Sequence, residues 1–362
     1  MLKLKALFWL RPDFRMCPGG DTVQAKYTAQ ALSELGWKVD ICSDPDIDPG
    51  VYDIVHLWHL ERCHDTWLYF QKAKKSRRRI FLSPIYWPSN QTPLTGFLNK
   101  QRRAVKENLK DVMRLGMTGT KGHRRFVLAS VRKGWLACRE QLLNCVDLLL
   151  PNSASEAEIL RQERQDDVPI AVIPNVVDTR MCDAVVKVPW EERSMILCVG
   201  HFCPRKNQLT LIKALKNTNI SVVFVGGFRP ARRWYYERCR REAAGQHTFM
   251  GSCSSQKVLE LMGQARVHVL TSTSETPGLV NLEAGLMGCN LVLPPVAPVV
   301  DYFGDLAHYF STYQVENIRQ AIVDATNTRP AQSLESHIRR TFTLTQLKSR
   351  LSVAYHLEQT KY

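Results

Sequence analysis

Two glutamates in one short segment are candidates for binding the hydroxyl groups of a ligand. Glu275 precedes a predicted helix and Glu283 lies inside it, and the segment follows an apolar strand at 267–270. Gly278 frees the backbone at the turn, so the amides of Leu279 and Val280 can face an anion at the helix N-terminus. A glutamate in an apolar helix needs a polar partner, and the paired hydroxyls of a sugar or a ribose supply one. The alternative is a capping carboxylate followed by an exposed helical glutamate.

Two adjacent cations form a second candidate site. Arg205 and Lys206 follow an apolar strand at 195–199 and precede a predicted helix at about 207–216. Two charges and a helix N-terminus acting together suit a diphosphate. The alternative is a solvated basic turn.

A glycine pair follows the first predicted strand. Gly19 and Gly20 would allow the chain to approach a phosphate closely. An ordinary turn between a strand and a helix explains the same two residues.

These sites need a framework, and apolar strands alternating with helices supply one. The pattern predicts parallel sheets covered on both faces, with a ligand at the carboxyl ends of the strands. It breaks at 176–193, which contains Pro189 and is predicted to be an interdomain linker. We therefore expect an N-terminal domain at 1–175, a C-terminal domain at 194–340, and a last helical stretch within 341–362 that packs back on the N-terminal domain. The predicted strands are at 4–10, 39–42, 53–58, 80–82, 146–150, 171–173, 195–199, 222–225, 248–250, 267–270 and 291–293.

Composition narrows the class of protein. The chain has 362 residues, of which 44% are hydrophobic and 23% charged, and this excludes a disordered chain, a collagen and a coiled coil. No uncharged apolar stretch is long enough to span a membrane, and the N-terminal segment does not resemble a signal peptide. The eleven cysteines include no C-x-x-C pair. We expect reduced thiols and a cytoplasmic location.

The charge is concentrated in one segment. The net charge is +15, and residues 72–139 contain 18 basic and two acidic residues, so the rest of the chain is nearly neutral. A solvated surface is one explanation, and a patch for an anionic membrane or a nucleic acid is the other. Apolar residues such as Phe97 and Trp135 are interleaved with the cations, which favours a membrane interface unless they face the core.

Taken together, the three candidate sites resemble the GT-B glycosyltransferases of the large retaining Glu-x7-Glu family, the group 1 or family 4-like enzymes. The resemblance covers most of the chain and is strongest over 195–300. It implies two Rossmann-like domains whose parallel sheets face a central cleft. It is carried by the segments STSETPGLVNLEAGLMGCNLVLPPV, LCVGHFCPRKNQLTLIKAL, LLLPNSASEAEIL and VIPNVVD.

The resemblance implies transfer of a sugar from a nucleotide diphosphate sugar to an acceptor hydroxyl, with retention at the anomeric carbon. Glu275 would hold the sugar, Arg205 and Lys206 the diphosphate, and Glu283 the ribose. The remaining donor-binding residues would be Gly19, Gly20, His201, Phe249, Met250, Gly251, Gly278, Leu279 and Val280, with the base against 249–251.

The family generally needs no metal or other cofactor. Asp44 and Asp46 look like the Asp-x-Asp of metal-dependent transferases, but no phosphate motif lies beside them, so we interpret them as a turn.

The sequence also departs from the family pattern. His201 stands where an arginine is usual, and Tyr86 stands near the position of a histidine of the first domain. Tyr86, His56 and His59 are candidates for the acceptor side, and one of the two histidines is expected to be structural.

Several functions are compatible with these features. The first is an enzyme of lipid-linked glycan, lipopolysaccharide or capsule synthesis, bound peripherally to the cytoplasmic face of a membrane through 72–139. The others are a glycosyltransferase acting on nucleic acid, a non-catalytic nucleotide-sugar binder, and an epimerase on the same fold.

Overall fold

The computed structural model describes residues 4–16, 18–87, 104–105, 107–109 and 131–356. The chain divides into two compact units. Unit 1 comprises residues 1–175 and 344–362, and unit 2 comprises residues 176–343.

Unit 1 contains, within its described residues, a parallel sheet of five strands in the order β2-β1-β3-β4-β5. Every residue of β3 and four of the five residues of β1 are buried, as expected for strands with helices on both faces. The strands are β1 Lys5–Trp9, β2 Lys38–Cys42, β3 Ile54–Trp58, β4 Arg79–Ser83 and β5 Leu148–Leu149. The described α-helices are Gly20–Glu34, Cys63–Lys75, Trp135–Asn144, Ala154–Glu163 and Leu344–His356.

The C-terminal helix Leu344–His356 belongs to unit 1, where it packs against the helix Gly20–Glu34. Its residues Leu347, Leu351 and Tyr355 are buried. The Nζ of Lys348 lies 2.7 Å from Oε2 of Glu34. The helix therefore completes the core of the unit in which the chain begins.

Unit 2 contains a parallel sheet of six strands in the order β11-β10-β9-β6-β7-β8, and all of its residues are described. The short strand β11 adds an edge beyond β10 that the sequence pattern does not predict. The strands are β6 Met195–Val199, β7 Val222–Val225, β8 Thr248–Phe249, β9 Ala265–Val269, β10 Asn290–Leu293 and β11 His308–Tyr309. The α-helices are Thr179–Asp183, Gln208–Leu215, Arg233–Ala243, Ser255–Gln264, Leu279–Leu286, Ala297–Phe303, Val315–Asn327 and Gln332–Thr341.

Residues 176–193, predicted as a linker, lie within unit 2. Val177, Cys182 and Val185 are buried in its core. The amide of Val177 donates to the carbonyl of Phe342 at 3.0 Å. Burial of apolar side chains therefore assigns this segment to the second core.

The strand predicted at 171–173 is absent. A single bridge joins Leu149 to Ile170, and the amide of Ala171 donates to the carbonyl of Leu149 at 2.9 Å. Pro169 and Pro174 flank the segment and lack the amide hydrogen that a longer ladder needs.

The basic segment 72–139 is described only in part. Nine of its 18 cations, among them Arg102, Arg103, Lys106 and Lys110, lie outside the described residues, as does Phe97. Trp135 is fully buried, so this aromatic residue belongs to the core. In the part of the chain that the structure describes, no helix is long and apolar enough to cross a membrane.

Candidate functional site

Two loops of unit 2 meet at the carboxyl ends of neighbouring strands. β6 and β9 pair in the middle of the sheet, so the loops that follow them, 200–207 and 270–278, emerge side by side. The amide of Thr273 donates to the carbonyl of Arg205 at 2.8 Å, and the hydroxyl of Thr271 donates to the carbonyl of Asn207 at 3.0 Å. The two segments that the sequence analysis treated separately therefore form one surface.

Arg205, Lys206 and Glu275 form an ion cluster on this surface. The Nζ of Lys206 lies 2.5 Å from Oε2 of Glu275, and Nη1 of Arg205 lies 3.9 Å from Oε1. Nη1 of Arg205 also donates to the carbonyl of Ser274 at 2.7 Å. Burial would raise the pKa of Glu275, but Lys206 and Arg205 outweigh it and hold this pKa below its usual range. Arg205, whose side chain is 51% exposed, remains accessible to a ligand.

The loop that carries the two cations is built from a tight turn. Pro204–Lys206 is one turn of 3-10 helix, and Asn207 leaves it in the left-handed conformation with a φ of 55°. Asparagine tolerates this conformation better than most residues. The buried Phe202 anchors the other end of the loop. Lys206 is thereby held immediately before the helix Gln208–Leu215.

Glycines allow the strand ends to approach each other closely. A Cβ on Gly226, whose φ is 145°, would lie 2.2 Å from the carbonyl oxygen of Gly200. The amide of Gly226 donates to the carbonyl of Gly251 at 2.7 Å, and the amide of Phe202 donates to the carbonyl of Gly227 at 2.8 Å. The loops after β6, β7 and β8 therefore share one edge, and Gly251, predicted in the base site, lies on it.

A further cation, Arg229, belongs to this edge and was not among the predicted residues. Burial lowers the pKa of His201, and the charges of Arg229 and Lys206 lower it further. Arg229 follows Gly226 and Gly227 by two residues, and the glycine pair after strand β7 was the available signal.

Glu283 is partly buried and has no polar partner among the described residues. It lies in the helix Leu279–Leu286, which begins after Gly278 at a φ of 76°. Burial raises the pKa of Glu283 to about 7. The amides of Leu279 and Val280 occupy the first turn of this helix, where N–H groups have no acceptor within the helix.

An aromatic cluster underlies the predicted base site. Phe249 stacks on Phe224 at 5.1 Å between ring centroids and meets the edge of Tyr236 at 5.9 Å. Met250 is 39% exposed. Of the predicted pair, Met250 is the residue whose side chain is open to a ligand.

The glycine pair of unit 1 is tied to a charged cluster. A Cβ on Gly19 would lie 2.7 Å from Oδ1 of Asp21. The carboxylate of Asp21 accepts from Nε of Arg11 at 2.6 Å and lies 3.3 Å from Nε2 of His59. Burial would raise the pKa of Asp21, but the hydrogen bonds and charges of His59 and Arg11 hold it well below its usual range. Gly19 thus makes room for this ion pair, and Gly20 begins the helix Gly20–Glu34.

His56 and Tyr86, predicted for the acceptor side, are buried residues of unit 1. Nδ1 of His56 lies 2.8 Å from the hydroxyl of Tyr355, and Nε2 lies 2.8 Å from Oγ of Ser83. Tyr86 is fully buried under the guanidinium of Arg139, 4.6 Å from its ring centroid. His56 is the central residue of β3, Tyr86 follows the end of β4 by three residues, and both side chains are buried in unit 1. His59, 18% exposed beside Asp21, is the histidine that can still contact a ligand.

The Asp44 and Asp46 pair forms a turn. The amide of Asp46 donates to Oδ1 of Asp44 at 2.9 Å, as in an Asx turn. Among the described residues, no group of three or more His, Cys, Asp or Glu side chains is placed to hold a metal ion.

Comparison with known proteins gives a family for part of the chain and a fold for all of it. Residues 185–337 match the glycosyl transferases group 1 family. A search of curated proteins finds no match to the sequence.

Three solved structures illustrate the fold. A sucrose-phosphate synthase from Thermosynechococcus elongatus superposes with a TM-score of 0.70 at 16% identity, covering all of both chains. HepE from Anabaena, solved with UDP and glucose, superposes with a TM-score of 0.71 at 14% identity, covering 98% of this chain and 99% of its own. The lipopolysaccharide outer core galactosyltransferase WaaB superposes with a TM-score of 0.60 at 14% identity, covering 99% and 100%.

The predicted fold class is confirmed by the two parallel sheets and by these neighbours. The family 4-like assignment and the Glu-x7-Glu roles stay predictions. Residues 185–337 match the glycosyl transferases group 1 family, and the chain has the two-unit fold of the GT-B glycosyltransferases.

Proposed function

We propose that this protein is a retaining glycosyltransferase that moves a sugar from a nucleotide diphosphate sugar to an acceptor hydroxyl. The observation that carries the proposal is the ion cluster of Arg205, Lys206 and Glu275 at the carboxyl edge of the unit 2 sheet. It combines two cations with a buried carboxylate inside the family-matched region 185–337.

The cations suit the leaving group of such a reaction. The bond between the anomeric carbon and the β-phosphate oxygen breaks, and its electron pair remains on the nucleoside diphosphate. The acceptor oxygen bonds to the anomeric carbon, and its proton passes to the departing diphosphate. Negative charge therefore grows on the diphosphate, and fixed cations at that point lower the barrier. Arg205, Lys206 and the first turn of the helix Leu279–Leu286 are our candidates for this task.

The two glutamates take different parts of the donor in this proposal. Glu275, whose ion pairs keep it ionised, would accept hydrogen bonds from the hydroxyls of the transferred sugar. Glu283 has no partner among the described residues, and ribose hydroxyls would satisfy it on binding. The base would lie against Met250 and Gly251.

The donor class is suggested by similar proteins. HepE is solved with UDP-glucose, and a trehalose-6-phosphate protein from E. coli is solved with UDP-2-fluoro glucose. These structures are 14% and 10% identical to this chain, so they suggest UDP-hexoses as the first probes.

The acceptor is proposed to be a lipid-linked or other cell-surface glycan. The support is the concentration of positive charge in 72–139, in the half of the chain that holds the acceptor in the resembling family. The chain would then work on the cytoplasmic face of a membrane without spanning it.

A panel of nucleotide sugars in a thermal-shift assay tests the proposal. A ligand at 100 times its Kd stabilises the folded state by about 2.7 kcal/mol, so the true donor should raise the melting temperature by several degrees. No stabilisation by any nucleotide sugar would contradict the donor site.

Activity assays separate the competing functions. Nucleoside diphosphate release that requires an added glycan acceptor, with the product's anomeric configuration matching the donor's, supports the proposal. Binding without release indicates a non-catalytic binder, and a changed sugar without an acceptor indicates an epimerase. Release that depends on a nucleic acid indicates the nucleic-acid enzyme.

A further inference from the structure

Unit 2 carries an arginine-rich surface, of which one member, Arg229, lies at the edge that holds the candidate donor site. Between residues 229 and 241 the chain has six arginines, and the acidic residues of the same stretch and its end are Glu237 and Glu242. We call the six arginines together with Trp234 the Arg/Trp surface. Its members are Arg229, Arg232, Arg233, Trp234, Arg238, Arg240 and Arg241, all of them exposed.

The helix Arg233–Ala243 divides its residues sharply between core and surface. Tyr235, Cys239 and Ala243 are buried at a spacing of four residues. Trp234, Arg238 and Arg241 follow the same helical spacing on an outward face, and the indole of Trp234 is 52% exposed. A large aromatic side chain is therefore presented to the solvent on the same helix face as Arg238 and Arg241.

The arginines are not neutralised by the fold. Among the described residues only Arg233 has an ion-pair partner in this set, Glu237 at 3.8 Å. The carboxylate of Glu242 is taken by Lys216 at 3.1 Å. The remaining five guanidinium groups form no ion pair with a described residue, so an external anion can reach them.

Helix stability does not account for these positions. Arg240 and Arg241 in the last turn favourably oppose the helix dipole, but Arg232 and Arg233 lie at the N-terminal end, where a cation is unfavourable. Trp234 contacts the ring of the buried Tyr235 edge-on at 5.7 Å between ring centroids, yet 52% of Trp234 stays exposed. Arginines at the positive end of the helix dipole and a half-exposed indole are better explained by a binding partner.

The chemistry fits the surface of an anionic bilayer. Guanidinium groups bind phosphates in a bidentate manner, and tryptophan is enriched at the headgroup level of membranes. Single-stranded nucleic acids are typically held by a series of aromatic side chains on which successive bases stack. The Arg/Trp surface contains one aromatic side chain, that of Trp234, which is 52% exposed.

We propose that the Arg/Trp surface binds the headgroups of anionic phospholipids and holds unit 2 against a membrane. This interaction is independent of sugar transfer. It adds a second contact to the one that the sequence predicts for 72–139.

Vesicle sedimentation with charge-matched variants tests this. The full chain is mixed with vesicles of phosphatidylglycerol and phosphatidylcholine, and with vesicles of phosphatidylcholine alone. Because each basic residue contributes about fivefold to partitioning, R238Q/R241Q should weaken binding to the anionic vesicles about 25-fold. The control K257Q/R340Q removes two exposed cations from other helices of unit 2 and should bind like the wild type.

The tryptophan gives an independent readout. The difference between the emission of the wild type and of W234F reports on Trp234, and it should shift to the blue with anionic vesicles only. The affinity for UDP, measured by calorimetry, should be the same in R238Q/R241Q and the wild type. If UDP binds neither protein, the proposed function fails while the membrane proposal stands, so the two failures can be distinguished.

Two results would overturn the proposal. One is equal vesicle binding by R238Q/R241Q and the wild type. The other is binding to a single-stranded nucleic acid that both R238Q/R241Q and W234A abolish while the anionic vesicles are ignored at low salt.

Discussion

Lys206 and Glu275, 69 residues apart in the sequence, form an ion pair in which Nζ lies 2.5 Å from Oε2. The carboxylate is buried and the lysine side chain is 13% exposed, so each neutralises a charge that would otherwise be costly to bury. A bound diphosphate would compete with Glu275 for the lysine. This competition gives the glutamate an effect on binding as well as on chemistry.

Glu275→Gln should lower turnover and leave the affinity for a nucleoside diphosphate equal or higher. The amide cannot match the charge of the carboxylate, so Lys206 is freed for phosphate while the sugar hydroxyls lose their acceptor. Calorimetry with UDP, GDP and ADP and a turnover assay with the donor measure the two effects. A weaker affinity for the nucleoside diphosphate with unchanged turnover would contradict the assignment.

Glu283→Gln should weaken the binding of the nucleoside diphosphate itself. If Glu283 accepts hydrogen bonds from the ribose, loss of its charge should cost about 1–2 kcal/mol, or about five- to thirtyfold in Kd. The same calorimetry applies, with Glu260→Gln as the control, a helical glutamate of unit 2 whose side chain is 40% exposed. Equal affinities in both variants would place the ribose elsewhere.

The raised pKa of Glu283 also predicts a pH dependence of stability. The pKa rises from 4.5 in the unfolded chain to about 7 in the folded protein, because burial disfavours the ionised form. The contribution of this carboxyl group to the free energy of unfolding is therefore present below pH 4.5 and is lost as the pH rises to about 7. Glu283→Gln should gain about 1–3 kcal/mol of unfolding free energy relative to the wild type between pH 5 and pH 8.

Urea unfolding of the ligand-free protein at these two pH values gives the measurement. A stability difference between wild type and Glu283→Gln that stays constant with pH would mean that the carboxyl group titrates normally.

Gly226→Ala should destabilise unit 2 more than Gly245→Ala. Both glycines have positive φ values, 145° and 85°, but a Cβ at 226 meets the carbonyl oxygen of Gly200, whereas nothing lies within 4 Å of one at 245. We expect a loss of about 1 kcal/mol at 245 and about 2–4 kcal/mol at 226, where the backbone must also move. Equal losses in thermal or urea unfolding would show that the β6 and β7 loops are not in tight contact.

Tyr355→Phe should weaken unit 1 through His56. The tyrosine hydroxyl pairs with Nδ1 of a fully buried histidine, and its removal leaves that nitrogen unsatisfied at a cost of about 1–3 kcal/mol. Tyr309→Phe in unit 2 is the control, because the hydroxyl of Tyr309 has no hydrogen-bond partner among the described residues. A free energy of unfolding unchanged by Tyr355→Phe would contradict the described packing of the C-terminal helix.

The sequence pattern predicts the strands of both units well, because each is an apolar run that ends at a glycine or a polar loop. β6 and β7 begin and end at the predicted residues 195–199 and 222–225. The pattern could not show that Lys206 pairs with Glu275, because that contact depends on the order of β6 and β9 in the sheet.

Burial of polar residues is the feature that the sequence pattern shows least. His56 is the central residue of β3, and Tyr355 reaches it from the other end of the chain and satisfies it. Tyr86 is similarly enclosed, with its amide donating to the buried Glu156 at 2.6 Å. Neither contact leaves a local signal in the sequence.

The central claim is that Lys206 binds the diphosphate of the donor. Calorimetry of nucleoside diphosphate binding to the wild type, Lys206→Ala and Lys213→Ala tests it most directly. Lys213 is exposed in the helix that follows the cationic loop and serves as the matched control. The account predicts that one of UDP, GDP and ADP binds the wild type and Lys213→Ala equally. Lys206→Ala should bind it more weakly by about 1.5–3 kcal/mol, the cost of a lost charge-assisted contact. Wild-type affinity in Lys206→Ala, or no binding of any of the three nucleotides to the wild type, would contradict it.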